Sequence, residues 1–269
     1  RLSPAALWRA WRFFRRVRPD GVLFNHARNY SFAASVLAAR WAGARRVVSF
    51  HHGTIEVAAS FPRARVFPPR ALWAVRSRAR FRVMARRTDA MLCNHAANAE
   101  SIVRHFGVPP GKVHVEHLGA DETRFAPDPA ARRRTRRQLG IAEGTLAVGT
   151  LCRLDGQKGE DILIDAVSEL ARGGLDVRGV LIGDGPARAE LEARAQAAGA
   201  AVRFAGFVDA PEAHLNALDV FVLASARESF GLALVEAMAT ALPCVAASVG
   251  GMRDILTDGR DGLLLASRD

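Results

Sequence analysis

The sequence is poor in the residues that build covalent or metal scaffolds. Its 269 residues include three cysteines, Cys93, Cys152 and Cys244, odd in number, far apart and set in apolar surroundings. That pattern argues against a disulfide framework and for reduced core thiols in a cytoplasmic protein. No Asp/Cys/His set at ligand spacing and no Asp-x-Asp pair at a strand end occurs, so neither an essential metal nor a cofactor is expected. Long apolar runs are missing as well. No stretch of about 18 apolar residues without charges appears, which argues against a spanning helix. Position 1 is Arg rather than Met, and "RLSPAALWRAWRFFRRVRPDG" is too rich in arginine for the apolar centre of a signal peptide. The chain reads as a fragment of a longer protein. No short internal repeat stands out beyond a bias toward Ala and Arg.

Acidic residues are scarce in one half only. Residues 1–138 hold 27 Lys and Arg against 8 Asp and Glu, whereas residues 139–269 hold 11 against 19. The net charge of +11 is therefore a strongly basic half joined to an acidic one. Such asymmetry argues for two units with different partners, the basic one facing nucleic acid, an anionic membrane or an acidic substrate.

The apolar pattern alternates between short runs and helical spacing. In "ALWRAWRFFRRV", Leu7, Trp11, Phe14 and Val17 recur at helical intervals, and Pro19-Asp20-Gly21 stops that helix before the strand "GVLFNH". Strand and helix then follow one another through "RRVVSFHHG", the long basic "ALWAVRSRARFRVMARR", "DAMLCN", "HAANAESIVRHFG" and "KVHVEHLG". "ADETRFAPDPAARRRTRRQLGIAEG" breaks the rhythm with two prolines and a charge run, as a connection leading into a basic helix would. The alternation restarts at "LAVGTLCR" and continues to "PCVAAS". The expected fold class is α/β, two doubly wound parallel units in tandem, with ligands at the carboxyl ends of the strands.

Post-strand loops hold the candidate chemistry. "CRLDGQKGED" places Arg153 and Lys158 five residues apart on a glycine-bearing loop, which suits a diphosphate but is also common in ordinary strand-to-helix loops. In "LIGDGPARAELE", Asp184 and Gly185 are read as a turn, with Pro186 at the first helical position. "ARESFGLALVEAMATALP" frames a small-residue helix entry, Ser229 and Gly231, with Glu228 just outside the helix and Glu236 about two turns in. Free N–H groups at such an entry attract phosphate, and carboxylates are good acceptors for vicinal hydroxyls. "ASVGGMRDIL" adds a glycine pair that reads as a tight turn or a ligand contact. In the first half, His51 and His52 follow a strand, where a parallel-sheet protein exposes catalytic groups. Asn25 and His26 close the preceding strand and are read as structural.

Taken together these motifs resemble glycosyltransferase family 4 of the GT-B type. The resemblance rests on "GTLCRLDGQKGEDILIDA", "LIGDGPARAELE", "VRFAGFVD", "DVFVLASARESFGLALVEAMATALPCVAASVGGMRDIL" and "DGRDGLLL" in the family's order, with "GADETRF" as the domain junction. It covers nearly the whole chain and is strongest from about residue 145 to 266. It implies two Rossmann-like domains facing across a cleft, with an acceptor-side domain over 1–120 and a nucleotide-sugar-binding domain over 121–269. By the same resemblance, Arg153 and Lys158 would neutralise the diphosphate and Glu236 would hold the ribose hydroxyls. Glu228 would bind the donor sugar, with backbone around Ser229, Phe230 and Gly231 contacting sugar and phosphate. The family's histidine falls on His51, with His52 beside it, in the role of orienting the sugar. Departures are Cys152 and Ala241 where glycine is usual, Asp254 for Glu, and Leu118 for Asn. The family's N-terminal strand and Gly-rich loop should precede Arg1, and its C-terminal helices should follow Asp269.

The implied activity is a retaining transfer of sugar from a nucleoside-diphosphate sugar to a saccharide or lipid-linked acceptor, in cell-surface polysaccharide or glycolipid synthesis. A nucleotide-sugar epimerase of the same fold would need carboxylates that the first half hardly supplies, and a nucleic-acid-binding protein would need a reading motif that is absent. The expected location is cytoplasmic and peripheral to the inner membrane face, with residues 70–87 as a basic helix on anionic lipid.

Overall fold

A computed structural model describes residues 4–26, 33–53, 79 and 81–266. The chain divides into two compact units, Arg1–His117 and Leu118–Asp269, each with its own parallel sheet and core. No described helix is long and apolar enough to cross a membrane.

In unit 1 the strands β1 (Gly21–His26), β2 (Arg46–His51), β3 (Ala90–Cys93) and β4 (Val113–Val115) lie side by side in chain order, all parallel. The helices are α1 (Pro4–Val17), α2 (Ala33–Trp41), α3 (81–87) and α4 (Ala96–Phe106). The helical spacing of α1 holds in part: Phe14 is buried and Leu7, Ala10 and Trp11 pack against the core, whereas Val17 at the end of the helix is exposed. Of the long basic helix, Leu72, Trp73, Val75, Arg76, Arg78 and Arg80 lie outside the described residues. The part that is described buries Phe81, Met84 and Ala85, an i, i+3, i+4 stripe, and leaves Arg82, Arg86 and Arg87 exposed. Phe81 stacks on Phe106 of α4 with ring centroids 4.0 Å apart.

Unit 2 holds six parallel strands, β5 (Leu146–Leu151), β6 (Val177–Ile182), β7 (Val202–Gly206), β8 (Val220–Leu223), β9 (Cys244–Ala247) and β10 (Leu263–Leu265), in the order β10-β9-β8-β5-β6-β7. The chain winds outward one way from β5 and then the other way from β8. Both faces of this sheet are covered, so Val180 and Ile182 enter one core and Leu181 enters another, all fully buried. This is why the strand reads as an unbroken apolar run. The helices are α5 (Pro129–Leu139), α6 (Glu160–Arg172), α7 (Arg188–Ala198), α8 (Pro211–Asn216), α9 (Leu232–Ala239) and α10 (Met252–Ile255).

Two local expectations are corrected. Helix α7 begins at Arg188 with Ala187 as its N-cap, so Pro186 sits in the preceding turn and not at the first helical position. Helix α9 begins at Leu232, which makes Glu236 its fifth residue, little more than one turn in. The basic helix α5 is more than a solvated charge run. Asp128 caps it by accepting from the N–H groups of Ala130 and Ala131, and left-handed Gly140 ends it. Arg132 and Arg136 both grip Asp219, and Arg136 also donates to the carbonyls of Ala217, Ala142 and Thr145. Burial opposes the Asp219 charge, yet the Ala147 N–H and the two guanidinium groups hold its carboxyl below the usual range.

Candidate functional site

Strands β5 and β8 are neighbours at the point where the winding direction reverses, and the loops that leave their carboxyl ends form a crevice of the kind where open α/β sheets take ligands. The loop after β5 carries Arg153 and Lys158. Glu160, fully buried at the start of α6, shapes it from within. Its two carboxylate oxygens accept from the N–H groups of Asp155 at 3.0 Å, Gly156 at 3.2 Å and Lys158 at 3.0 Å. The loop after β8 passes so close that a side chain on Gly159 would overlap the Ala224 carbonyl, and the Ala226 N–H donates to the Gln157 carbonyl at 2.9 Å.

Two further loops lean on these. The turn after β6 is bound to the first loop by bonds from Leu154 N–H to the Asp184 carbonyl and from Ala187 N–H to the Leu154 carbonyl. Gly185 lies against Leu154 where any Cβ would collide with backbone. The Gly250–Gly251 pair after β9 supports residues 228–230 in the same manner. A Cβ on Gly250 would overlap the Glu228 carbonyl, and the Gly251 N–H donates to the Ser229 carbonyl at 3.2 Å. That pair is thus a seat for the Glu228 loop, built from backbone approach that only glycine allows.

The side chains at the centre come together in a way the sequence did not announce. Lys158 Nζ donates to Glu228 Oε2 at 2.7 Å, with 24% and 13% of the two side chains exposed. The other carboxylate oxygen of Glu228 accepts from the Ser229 N–H at 3.1 Å. Arg153 is exposed and has no partner among the described residues. Ser229 is half-buried, and Phe230 plants its ring in the core at 3% exposure. Gly231 takes a left-handed φ of 99° as the N-cap of α9, and no side chain caps that end. Its first-turn N–H groups are therefore open to a ligand anion. Glu236 is half-buried in α9. Burial pushes its carboxyl above the usual range, with Arg124 pulling it back and Glu212 adding to the rise. Arg124 is itself paired with Glu212 at 2.9 Å.

The two candidate histidines, His51 and His52, part company. His51 is 1% exposed, with Nε2 3.0 Å from Ser49 Oγ, its ring centroid 5.6 Å from that of Phe81, and its carbonyl accepting from Asn98 Nδ2. His52 is half-exposed, its ring edge-on to Phe50 at 4.2 Å, and its carbonyl accepts from Asn94 Nδ2 at 2.9 Å. Three features escaped the sequence reading: the Glu160 scaffold, the Lys158–Glu228 pair and the Arg124 neighbour of Glu236. Only the first left a trace, an acidic residue directly after Lys-Gly at a helix start. Among the described residues, no three His, Cys, Asp or Glu side chains gather as a metal site would. The three thiols are free, and burial pushes those of Cys93, Cys152 and Cys244 up to about 12.

Comparison with known proteins places both units. Residues 1–124 match the model of Glycosyltransferase Family 4, and residues 144–269 match that of Glycosyl transferases group 1. The D-inositol 3-phosphate glycosyltransferase of Geodermatophilus obscurus is 34% identical over 194 residues, covering 67% of this chain and 43% of that protein. The 2-deoxystreptamine glucosyltransferase of Streptomyces kanamyceticus is 33% identical over 199 residues, covering 72% of this chain and 49% of that protein. The chain thus spans about half the length of the relatives it matches. Among solved structures, Anabaena HepE in complex with UDP superposes with a TM-score of 0.79 at 23% identity, covering 97% of this chain and 68% of that one. Sucrose-phosphate synthase from Thermosynechococcus elongatus gives 0.73 at 22%, covering 99% and 65%. At these identities the likeness is one of fold, and the fold is GT-B.

Proposed function

The chain belongs to the family 4, group 1 glycosyltransferases, and from that premise we propose that unit 2 binds a nucleoside-diphosphate sugar at the Lys158–Glu228 corner. The whole protein would pass the sugar to an acceptor hydroxyl with its anomeric configuration kept. One observation carries this reading. A cation suited to phosphate and a carboxylate suited to hydroxyls share one contact, beside an uncapped helix end at the switch point of the sheet. A diphosphate sugar presents both partners at once. The UDP-glucose bound to the Anabaena protein is a ligand of that class.

In this reading Arg153, Lys158 and the first N–H groups of α9 stabilise charge on the departing diphosphate, which is the chief catalytic effect. Glu228, released from Lys158, accepts from hydroxyls of the sugar. Glu236 accepts from both ribose hydroxyls, and those bonds would offset the burial that now disfavours its charge. His51, to which the resemblance gives the role of orienting the sugar, is buried beside Ser49, and its neighbour His52 is the half-exposed candidate for that role. The acceptor is a saccharide or a lipid-linked sugar of cell-surface polysaccharide or glycolipid synthesis. Unit 1, with its excess of arginine, is the acceptor side and the face toward an anionic membrane.

Calorimetric titration with nucleoside-diphosphate sugars of each base, followed by transfer assays, tests the reading. Lys158→Ala should lower turnover about 100-fold while donor affinity falls less than tenfold. Turnover left intact after a large loss of affinity would reduce Lys158 to a binding group. A protein that takes up none of these donors would overturn the proposal.

A further inference from the structure

At the amino edge of the first sheet, opposite the strand ends that carry His51 and Asn94, helices α3 and α4 both finish beside a cavity of about 400 Å³. Three cations line it, Arg82, Arg86 and Lys112, together with Phe106, Gly107 and Val108. Among the described residues no carboxylate does. Another depression of unit 1 shows the contrast, since Arg15, Arg18 and Arg45 there share the walls with Asp20.

Two of the three cations are fixed by the fold with donors left over. Arg82 Nε donates to the Phe106 carbonyl at 3.1 Å, and Lys112 Nζ donates to the Thr88 carbonyl at 3.0 Å. Each bond satisfies a carbonyl close to a helix end, and neither exhausts its donor, because a guanidinium carries five N–H groups and an ammonium three. Arg86 is exposed and has no partner among the described residues. Capping the two carbonyls therefore explains the places of Arg82 and Lys112 but not the arrival of a third charge. Gly107, with φ +64°, adds no side chain to the wall that the Arg82 guanidinium faces. Like charges held this close repel one another, and an anion among them relieves that repulsion while meeting N–H donors already oriented.

We propose that this cavity binds a phosphate group, held by Arg86 and by the free donors of Arg82 and Lys112, with Phe106 and Val108 beside whatever carbon skeleton bears it. The site lies at the opposite edge of the sheet from the histidines, and the inference does not rest on the donor site proposed for unit 2.

Arg86→Gln is the informative variant, because Arg86 supports no other described group and its loss should leave the melting temperature unchanged. Inorganic phosphate is titrated into the protein while the amide resonances of Gly107 and Lys112 are followed. They should shift and saturate in the native protein, with affinity about tenfold weaker in Arg86→Gln and unchanged in Arg15→Gln. Equal affinity in Arg86→Gln, or an equal fall in Arg15→Gln, would show diffuse attraction to a basic surface and overturn the proposal. Sedimentation with vesicles of phosphatidic acid in phosphatidylcholine separates the two sources of phosphate. Retention that Arg86→Gln abolishes supports a lipid headgroup, whereas saturable phosphate binding without retention supports a soluble ester. Neither binding nor retention also overturns it.

Discussion

At the carboxyl edge of the second sheet, loop is tied to loop by backbone: Gln157 to Ala226, Leu154 to Asp184, Ser229 to Gly251. At the carboxyl edge of the first sheet, among the described residues, side chains also reach across, with Asn94 holding the His52 carbonyl and Asn98 that of His51, beside a backbone bond from the Glu116 N–H to the Cys93 carbonyl. Backbone ties are short and stiff, and they form only where no Cβ intervenes, which is why Gly159, Gly185, Gly250 and Gly251 stand where they do. Side-chain ties such as those of Asn94 and Asn98 span a longer reach and put no demand for glycine on the residues they join. The difference matches the work proposed for each edge. One must hold charges against a diphosphate within a fraction of an ångström, and the other meets an acceptor.

That contrast can be broken most severely at Gly250. Alanine there must take a positive φ of 54° and also overlap the Glu228 carbonyl. A loss of about 4 kcal/mol in denaturant unfolding is expected, together with loss of donor binding. A loss below about 1 kcal/mol would show that the two loops part easily. At the first sheet, His51→Ala should cost about 2–3 kcal/mol by leaving a cavity beside Phe81 and an unpaired Ser49 hydroxyl. His52→Ala should leave stability within about 0.5 kcal/mol and lower sugar transfer. Should the two variants exchange these effects, the buried ring is the one that works. The smallest effect isolates backbone angle from collision. Ala241 follows α9 with φ 57°, at a position where the resembled family carries glycine. Ala241→Gly should raise stability by about 0.5–1 kcal/mol, measured as a shift in the unfolding midpoint. Subtracting that gain from the Gly250 loss leaves the part due to contact between the loops.

Much of the fold was legible because parallel strands covered on both faces write themselves as short apolar runs between helical stripes. Val180, Leu181 and Ile182 are one such run. The site was legible as a set of loops but not as a geometry. Lys158 and Glu228 lie 70 residues apart, and no local pattern says that they meet. Glu160 looks like any first-turn acidic residue until its three backbone partners are seen. The arginines of α5 read only as a charge run leading into a basic helix, because Asp219, the residue that fixes two of them, belongs to a turn more than eighty residues away. Pro186 was misplaced by two residues for a related reason. The turn before α7 is set by the Leu154 loop it leans on, and local propensity does not see that loop.

The Lys158–Glu228 contact also acts as a lock with two wards. An anion that drew Lys158 away by itself would strand a carboxylate that is largely shut off from water. The other oxygen keeps the Ser229 N–H, but leaving the one that faced Lys158 unpaired costs about 1–3 kcal/mol. Free phosphate offers Lys158 a new partner and Glu228 none. A diphosphate sugar offers acceptors to the one and hydroxyl donors to the other, and so opens the pair without penalty. In the proposed donor site, then, the ion pair weakens the hold on simple anions and favours a ligand able to replace both halves.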